Sequence, residues 1–322
     1  MTGQFSLLLE REIKKQKYGT QPLSLYEPIR YLMSLGGKRL RPMFTLLAYS
    51  LYKKNVKSIL PYAVAVEAFH NFTLMHDDIM DRAPLRRGHQ TVHEKWNVNT
   101  AILSGDVMLI KVYDSLLNID DSRLKKVFRA FNKCASEVCE GQQWDMEFET
   151  LQNVTEPQYL NMIKLKTAVL LGFSLELGAI LADASEKDCK SLREFGINIG
   201  LGFQLKDDLL DAYADSKKFG KQPGGDIIAN KKTFLLIKSL ELARKKQRLE
   251  LEQWLSLKKF HKPEKVRAVK DIYDSLMIPR ITEKRIKRYF NRGFLKLNQL
   301  ECSDKAKSTL IEFTRSLISR ES

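Results

Sequence analysis

Two aspartate clusters of the same form, Asp77–Asp81 and Asp207–Asp211, lie 130 positions apart (207 minus 77), each within an otherwise apolar segment. On a helix, at about 100° per residue, the first and last aspartates of each cluster share one face. Two like charges side by side on one face are unfavourable unless a cation neutralises them. Each cluster therefore predicts a helix that carries a cation site.

The donors in both clusters are hard carboxylate oxygens without neighbouring His or Cys ligands. Such donors favour Mg²⁺, which usually completes its octahedral coordination with water and substrate phosphate. One cluster alone could be an ordinary Asp-rich helix end, but two copies with basic motifs around them indicate a diphosphate site. The candidate metal ligands are Asp77, Asp78, Asp81, Asp207, Asp208 and Asp211.

Apolar residues recur at intervals of three and four through most of the 322 residues, a spacing typical of helices. Only 9 prolines and 16 glycines interrupt the chain, and 43% hydrophobic with 29% charged residues is the composition of a folded protein. We predict an all-α fold, with helices that include 61–82, 122–150, 156–183, 186–215 and, with a break, 280–318. No shift in composition marks a boundary, so residues 1–322 are predicted to form a single domain.

The net charge of +15 allows a nucleic acid, an anionic membrane or a phosphorylated small molecule as partner. Stable membrane insertion is not predicted, because the most apolar stretch, 167–182, is interrupted by Glu176 and is too short to span a bilayer comfortably. Residues 1–15 do not resemble a signal peptide. The four cysteines lack metal-site spacing and indicate no disulfide framework, which fits a reducing cytoplasm; they are Cys134, Cys139, Cys189 and Cys302.

Basic groups surround the first cluster. Gly36–Pro42 places two glycines before three cations at a predicted helix start, where N–H groups and positive side chains can converge on an anion. His70 precedes Asp77 by seven residues, so its ring is predicted on the aspartate face. Arg86–Gly88 follows the helix, and its arginines can fork onto phosphate oxygens. The alternatives are a core histidine and a solvated turn.

Polar groups also accompany the second cluster. Lys166 and Thr167 stand at the edge of the apolar stretch, where a cation is unexpected unless it snorkels to solvent. Gln204 precedes Asp207 by three residues and stays on roughly the same helix face. The Gly- and Lys-rich segment 215–226 resembles a mobile lid over phosphate, with an ordinary charged connector as the alternative.

From Gly36 to Thr233 the chain resembles the trans-isoprenyl diphosphate synthases. The family's GGKxxRP, DDxxD with RRG, KT, FQxxDDxxD and GKxxGxD elements all have counterparts; these are Gly36–Pro42, Asp77–Asp81 with Arg86–Gly88, Lys166–Thr167, Phe203–Asp211 and Gly220–Asp226. The resemblance implies an isoprenoid synthase fold, in which a bundle of about ten or more helices surrounds a central cavity. It also implies a homodimer.

The resemblance further implies an Mg²⁺-dependent prenyl transfer, in which three Mg²⁺ ions bridge the aspartates to an allylic diphosphate and assist its departure. Isopentenyl diphosphate then attacks the allylic cation, and the released diphosphate removes a proton. Asp77, Asp81 and Asp207 are the foremost ligands by position. The other roles carried over are Arg86, Lys166, Lys221 and Lys231 for the allylic diphosphate; Lys38, Arg41, His70 and Arg87 for isopentenyl diphosphate; and Lys166, Thr167 and Gln204 for catalysis beside the cation.

Product length is expected to depend on the residues before the first cluster. In the family, a bulky residue five positions before the cluster accompanies short products, and Phe72 occupies that position. We therefore expect a C20 product, geranylgeranyl diphosphate, with C15 as the alternative and longer chains after it. On an ideal helix, however, Phe72 lies roughly 160° from the aspartate face, whereas Phe69 and Thr73 lie nearer to it.

Three other functions are weaker. A class I terpene cyclase would carry an Asn/Ser/Glu metal triad in place of the second cluster and has no need for a second diphosphate site. A non-catalytic prenyl synthase subunit would lose ligands, whereas both clusters are complete here. A basic nucleic-acid-binding protein could use the cations of 244–296, but these alternate with Leu, Ile and Glu like a solvated helix face and form no reader motif.

Overall fold

The computed structural model describes residues 1–214 and 224–319, and the described chain is built almost entirely from helices, as predicted. The α-helices are α1 Thr2–Lys15, α2 Leu23–Ser34, α3 Leu40–Ser50, α4 Leu60–Met80, α5 Val92–Lys95, α6 Val98–Leu116, α7 Asp121–Thr150, α8 Glu156–Ile163, α9 Val169–Leu181, α10 Glu186–Tyr213, α11 Gly225–Ile228, α12 Phe234–Leu242, α13 Lys245–Ser256, α14 Lys262–Ser275, α15 Ile278–Asn298 and α16 Asp304–Ser319. A 3₁₀ turn, Val56–Ile59, precedes α4, and a π-helical turn, Lys164–Ala168, joins α8 to α9. Strands β1 (Leu85–Arg86) and β2 (His89–Gln90) form one short antiparallel hairpin.

Contacts divide the chain into two compact units. The first comprises Met1–Cys134, Leu170–Arg193 and Gln299–Phe313, and the second comprises the remaining described residues. The first aspartate cluster belongs to the first unit and the second cluster to the second. A single domain over 1–322 stays a prediction.

Helix α4 is the centre of the first unit, where it packs against α6, α3 and α1. Pro61 lies in its first turn, where the missing N–H has no helical partner to lose. Most of the residues that follow are apolar and buried. Apart from buried Glu67, the acidic side chains of α4 lie near its carboxyl end, so the helix carries Asp77–Asp81 from the apolar core towards the surface. Its end at Met80 confirms that the first cluster lies at a helix terminus.

The second unit holds its own apolar core, formed where α12, α14 and α15 meet. The residues buried there include Leu235, Leu251, Val269, Ile272 and Ile278. Asp207–Asp211 lie in the last turns of α10, which ends at Tyr213, as predicted.

The segment predicted as one helix over 156–183 is interrupted. Helix α8 begins with a capping box between Thr155 and Gln158, and its backbone then widens into the π-helical turn before α9 begins. Such single π turns insert one extra residue into a helix and often occur at functional sites. Here the turn contains Lys166 and Thr167. In the described part of the chain, no helix is both long and apolar enough to cross a membrane.

Candidate active site

In the first cluster, the middle aspartate is buried and the outer two are accessible. Asp77 is half-buried, Asp81 is exposed, and Asp78 is buried between them. The carboxylate of Asp78 accepts hydrogen bonds from Arg86 Nε at 2.8 Å and forms an ion pair with Arg86 Nη2 at 2.6 Å. Burial raises the pKa of Asp78, and Arg86 opposes this rise. The hairpin β1–β2 therefore brings Arg86 back to the end of α4.

The second cluster repeats this arrangement with different partners. Asp207 is exposed, Asp211 is half-buried and Asp208 is buried. The hydroxyl of Tyr159 donates a short hydrogen bond to Asp208 Oδ2, and Gln204 Nε2 donates to Asp208 Oδ1 at 3.1 Å. Burial raises the pKa of Asp208 to about 7.

Both clusters thus expose an outer aspartate pair and anchor the inner aspartate on protein donors. The outer pairs, Asp77 with Asp81 and Asp207 with Asp211, are the more accessible carboxylates of each cluster. Among the residues that the structure describes, no three His, Cys, Asp or Glu side chains are grouped closely enough to hold a metal ion by themselves. Accessible carboxylates outside a closed cage suit Mg²⁺, because this ion keeps several waters and takes phosphate oxygens as ligands. The residues present therefore fit Mg²⁺.

Asp211 also holds the start of the segment that contains the motif residues Gly224 and Asp226. Its Oδ2 accepts the backbone N–H of Asp226 at 2.9 Å, and its backbone carbonyl accepts the N–H of Gly224 at 2.6 Å. Burial, followed by the nearby charge of Asp211, raises the pKa of Asp226 to about 6. Lys221, assigned to the allylic diphosphate, lies outside the described residues.

Lys231 and Lys232 point to different surroundings. The charge of Lys231 lowers the pKa of both Asp208 and Asp226, so it lies close to the second cluster. Lys232 Nζ instead donates to the backbone carbonyl of Glu149 at 3.2 Å. Of the two lysines, Lys231 is therefore the one beside the second cluster.

Lys166 is held by a residue that sequence reasoning missed. Its Nζ lies 2.6 Å from Asp145 Oδ2 on α7. Gly141 lets α7 approach this closely, because a Cβ there would lie 2.1 Å from the Lys166 backbone nitrogen. Thr167 Oγ1 donates to Gln204 Oε1 at 3.2 Å, which links Thr167 through Gln204 to Asp208. Sequence reasoning missed Tyr159 as well, because it is a buried residue in an otherwise ordinary helical pattern. Only its hydrogen bond to Asp208 connects it to the second cluster.

The basic residues assigned to isopentenyl diphosphate converge in the first unit. Arg41 Nη1 lies 3.0 Å from His70 Nε2, and Arg41 Nε is buried without a hydrogen-bond partner. Arg87 donates a short hydrogen bond to the carbonyl of Gly36. Burial, followed by the charges of Arg41 and Arg87, holds the pKa of His70 well below its ordinary value. His70 is therefore neutral and lies beside Arg41, one of the residues with which the resemblance groups it.

The glycines before Arg41 have positive φ angles, +74° at Gly36 and +128° at Gly37, which other residues rarely adopt. A Cβ on Gly37 would also lie 2.9 Å from Arg87 Cζ. Lys38 is exposed beside them. Arg39, by contrast, turns into the core and pairs with Glu67 at 2.8 Å. The loop therefore exposes Lys38 and is anchored by Arg39, and Arg41 follows in the first turn of α3.

Aromatic rings follow the aspartate cluster back along α4. Phe69 is 1% exposed, and its ring centroid lies 5.1 Å from that of Phe131 and 5.7 Å from that of Phe72. Phe72 is half-buried and lies 4.9 Å from the ring of His76. Thr73 Oγ1 donates to the carbonyl of His70 at 2.8 Å. Phe69 is thus the deeper of the two phenylalanines.

Comparison with known proteins gives a consistent result. Residues 22–274 match the family model described as polyprenyl synthetase. The chain is 45% identical over 224 residues to a geranylgeranyl diphosphate synthase of Methanosarcina mazei, covering 69% of each protein. It is 38% identical to a farnesyl diphosphate synthase of Bacillus subtilis over 241 residues, which is 72% of this chain and 81% of the relative.

The same similarity extends to the fold. A crystal structure of a geranylgeranyl pyrophosphate synthase superposes with a TM-score of 0.95 at 42% sequence identity, covering 100% of this chain and 99% of the other. The agreement therefore includes the segments on both sides of the matched family region.

Proposed function

The chain belongs to the polyprenyl synthetase family of trans-isoprenyl diphosphate synthases and is a prenyltransferase, and we propose that it makes geranylgeranyl diphosphate (C20) in a Mg²⁺-dependent reaction. The observation that carries the metal and diphosphate assignment is the repeated arrangement of the clusters, in which accessible outer aspartates flank a buried one. Farnesyl diphosphate (C15) is the alternative product, because a farnesyl diphosphate synthase is also among the relatives.

In this proposal, Asp77, Asp81, Asp207 and Asp211 hold Mg²⁺, and three ions are expected from the family resemblance. When bound, the ions neutralise the allylic diphosphate and stabilise it as a leaving group. Asp78 and Asp208 are buried against protein donors, so we propose that they orient their clusters even where they do not reach a metal. Arg86 binds Asp78 and can also donate hydrogen bonds from the rest of its guanidinium group to phosphate.

The remaining residues divide by substrate. Lys166, Lys221 and Lys231 join Arg86 on the allylic diphosphate, whereas Lys38, Arg41, His70 and Arg87 hold isopentenyl diphosphate. The unpartnered Nε of Arg41 supports the second assignment, because a buried donor without a partner is costly unless a ligand satisfies it. Neutral His70 can accept a hydrogen bond from Arg41 at Nε2 and so orient its guanidinium.

Thr167 and Gln204 supply oxygen dipoles for the allylic cation. Gln204 is oriented by the hydrogen bond that its Nε2 donates to Asp208, which leaves its Oε1 towards Thr167. Fixed dipoles stabilise developing positive charge without reacting with it. A base from the protein is not needed, because the departing diphosphate can take the proton released when the new double bond forms.

The direct test is to incubate the purified protein with dimethylallyl and isopentenyl diphosphates and to size the products. We expect C20 as the main product, with formation abolished by EDTA and restored by Mg²⁺. The variants Asp77→Asn and Asp207→Asn should lower turnover by orders of magnitude, and exposed Asp114→Asn is the control. Turnover that survives in either cluster variant would remove the metal assignment.

Product length is proposed to depend on Phe72 and then on Phe69. Removing a ring opens space for an apolar tail, and each additional buried CH₂ favours occupancy by about 0.8 kcal/mol. Phe72→Ala should therefore lengthen the product by one or more C5 units, and the double change with Phe69→Ala should lengthen it further. If only Phe69→Ala or a larger residue at Thr73 changes the length, Phe72 is not the barrier.

We also propose a homodimer in the cytoplasm. Leu103, Ile110 and Leu117 are exposed at intervals of seven residues along and directly after α6, so they follow one face of the helix. An apolar stripe of this kind is expected to be covered by a second copy. The four cysteines are all free thiols, which suits a reducing compartment.

A further inference from the structure

Helix α13 turns apolar side chains to opposite sides. Leu251 is fully buried in the core of the second unit, whereas Leu249, two residues earlier, is 69% exposed. Leu257, directly after the helix, is also exposed. Burial of Leu251 fixes the orientation of the helix, so Leu249 cannot turn inwards without removing Leu251 from the core. The exposure of Leu249 is therefore imposed by the fold.

An open groove of about 700 Å³ follows this exposed side of the helix. We call it the α13 groove; it is lined by Lys246, Leu249, Glu250, Gln253, Trp254 and Leu257. Trp254 is half-buried, with part of its surface against the apolar core and part in the groove. A helix face that combines Leu, Trp and Lys is typical of segments that lie in the headgroup region of a bilayer.

The surroundings of the groove are strongly basic. Residues 242–262 contain seven Lys and Arg and two Glu, a local charge of +5 (7 minus 2). Glu252 is paired with Arg248 at 2.5 Å, which leaves Glu250 as the acidic residue of the groove. In the described residues, no carboxylate forms an ion pair with Lys246, Lys258 or Lys259. These lysines are exposed, so their charges are available to an anionic surface.

We propose that the α13 groove docks on an anionic lipid surface, with Leu249, Trp254 and Leu257 in the headgroup region and the surrounding lysines on lipid phosphates. Each Lys or Arg near such a surface adds an electrostatic attraction, and salt screens this attraction. The protein docks peripherally and does not span the bilayer. This docking is independent of prenyl transfer, although it would place the enzyme beside the phase into which an amphiphilic C20 product partitions.

Charge and apolarity together favour lipid over the other occupants. A nucleic acid would use the lysines but gain little from exposed leucines, and a second copy of the chain would bring the same +5 charge against itself. An anionic bilayer satisfies both features, because its phosphates meet the cations and its acyl boundary accepts the apolar side chains.

The test is co-sedimentation of the full-length protein with vesicles, without substrate. We expect binding to vesicles that contain phosphatidylglycerol, weak binding to phosphatidylcholine alone, and release at high salt. The double variant Leu249→Gln with Leu257→Gln should weaken binding about tenfold or more, and Gln keeps good helix propensity. Leu7→Gln is the matched control, because Leu7 is 64% exposed on a different helix. Glu250→Lys should strengthen binding.

A second pair of variants separates docking from net charge. Lys258→Glu with Lys259→Glu and Lys284→Glu with Lys287→Glu change the total charge equally, but only the first pair adjoins the groove. The proposal is overturned if both pairs weaken vesicle binding equally, if phosphatidylglycerol vesicles bind no protein, or if DNA competes fully with them. It is also overturned if the leucine variant changes the oligomeric state by sedimentation while vesicle binding is unchanged. Prenyl transfer in solution should be unaffected by all of these variants.

Discussion

At the residue scale, Tyr159 is the side chain that connects the second aspartate cluster to helix α8. Its hydroxyl supplies a hydrogen bond to buried Asp208, and this bond lowers the pKa of that carboxyl. Because the pKa of Asp208 is already about 7, losing the bond should leave the carboxyl protonated at neutral pH. The charge of Asp208 thus depends on Tyr159, together with Gln204 and Lys231, which also lower its pKa.

We predict that Tyr159→Phe lowers turnover and moves the pH profile towards alkaline values. A hydrogen bond to a charged group contributes about 1.5–3 kcal/mol, so a loss of about 10- to 100-fold is expected. Steady-state rates from pH 6 to 9 would measure both effects. Tyr52→Phe is the control, because Tyr52 also donates to an aspartate, Asp188, at 2.7 Å. Equal losses in the two variants would contradict a specific role for Tyr159.

His70 affects a second pH-dependent property, the free energy of unfolding. Its folded pKa lies well below the ordinary value of 6.5, so below pH 6.5 the unfolded chain binds a proton that the folded chain does not. The free energy of unfolding should therefore fall as pH drops below 6.5 towards the folded pKa. Urea denaturation at pH 5 and pH 7.5 should show a smaller decrease in His70→Gln than in the parent. Exposed His261→Gln should behave like the parent, and the same decrease in all three proteins would exclude His70 as the cause.

At the element scale, the approach of α7 to the π-helical turn positions Lys166. Gly141 leaves no room for even a methyl group, because the nearest atoms belong to the backbone of Leu165 and Lys166 and cannot rotate away. Backbone contacts of this kind determine the position of the lysine more strictly than its ion pair with Asp145 does.

We predict that Gly141→Ala destabilises the protein by about 1–3 kcal/mol through overpacking and lowers turnover further than stability alone explains, because Lys166 moves. Gly3→Ala should stabilise slightly, since no atom lies within 4 Å of its added Cβ and Ala favours a helix. Urea midpoints and rates measured well below the midpoint separate the two effects. A fully active Gly141→Ala protein would show that this contact does not position Lys166.

Helix periodicity shows which elements can be anticipated and which cannot. The helix carrying the first cluster was expected over 61–82 and is found over Leu60–Met80, because Pro61 and the polar end mark its limits locally. The interruption at Lys164–Ala168 was not anticipated. This turn packs against Gly141, more than twenty residues away in the chain, and no local pattern contains that contact. The ion pair of Lys166 with Asp145 was missed for the same reason.

At the scale of the whole molecule, the family and the all-α fold followed from motifs and periodicity, whereas the partners of the inner aspartates did not. Arg86 and Tyr159 reach Asp78 and Asp208 from different elements, so two clusters with the same aspartate spacing have different supports. The shared aspartate spacing of the clusters therefore does not predict identical environments.

Assembly is the prediction at this scale. Ile110→Glu with Leu117→Glu should convert the proposed dimer to a monomer, because covering two carboxylates in an apolar interface costs several kcal/mol. Sedimentation velocity measures the result, and Leu7→Glu is the control. A variant that keeps the mass of the parent would place the subunit contact on another surface.

The hairpin after α4 finally limits how this molecule can change. Its two adjacent arginines have separate destinations, Arg86 at Asp78 and Arg87 at the Gly36 carbonyl. One added residue between Asp81 and Arg86 would move both cations away from their partners. One deleted residue would place Arg87 where Arg86 now lies. The residues of this connection can vary in identity but not in number. Insertions that other surface turns tolerate should therefore abolish activity here.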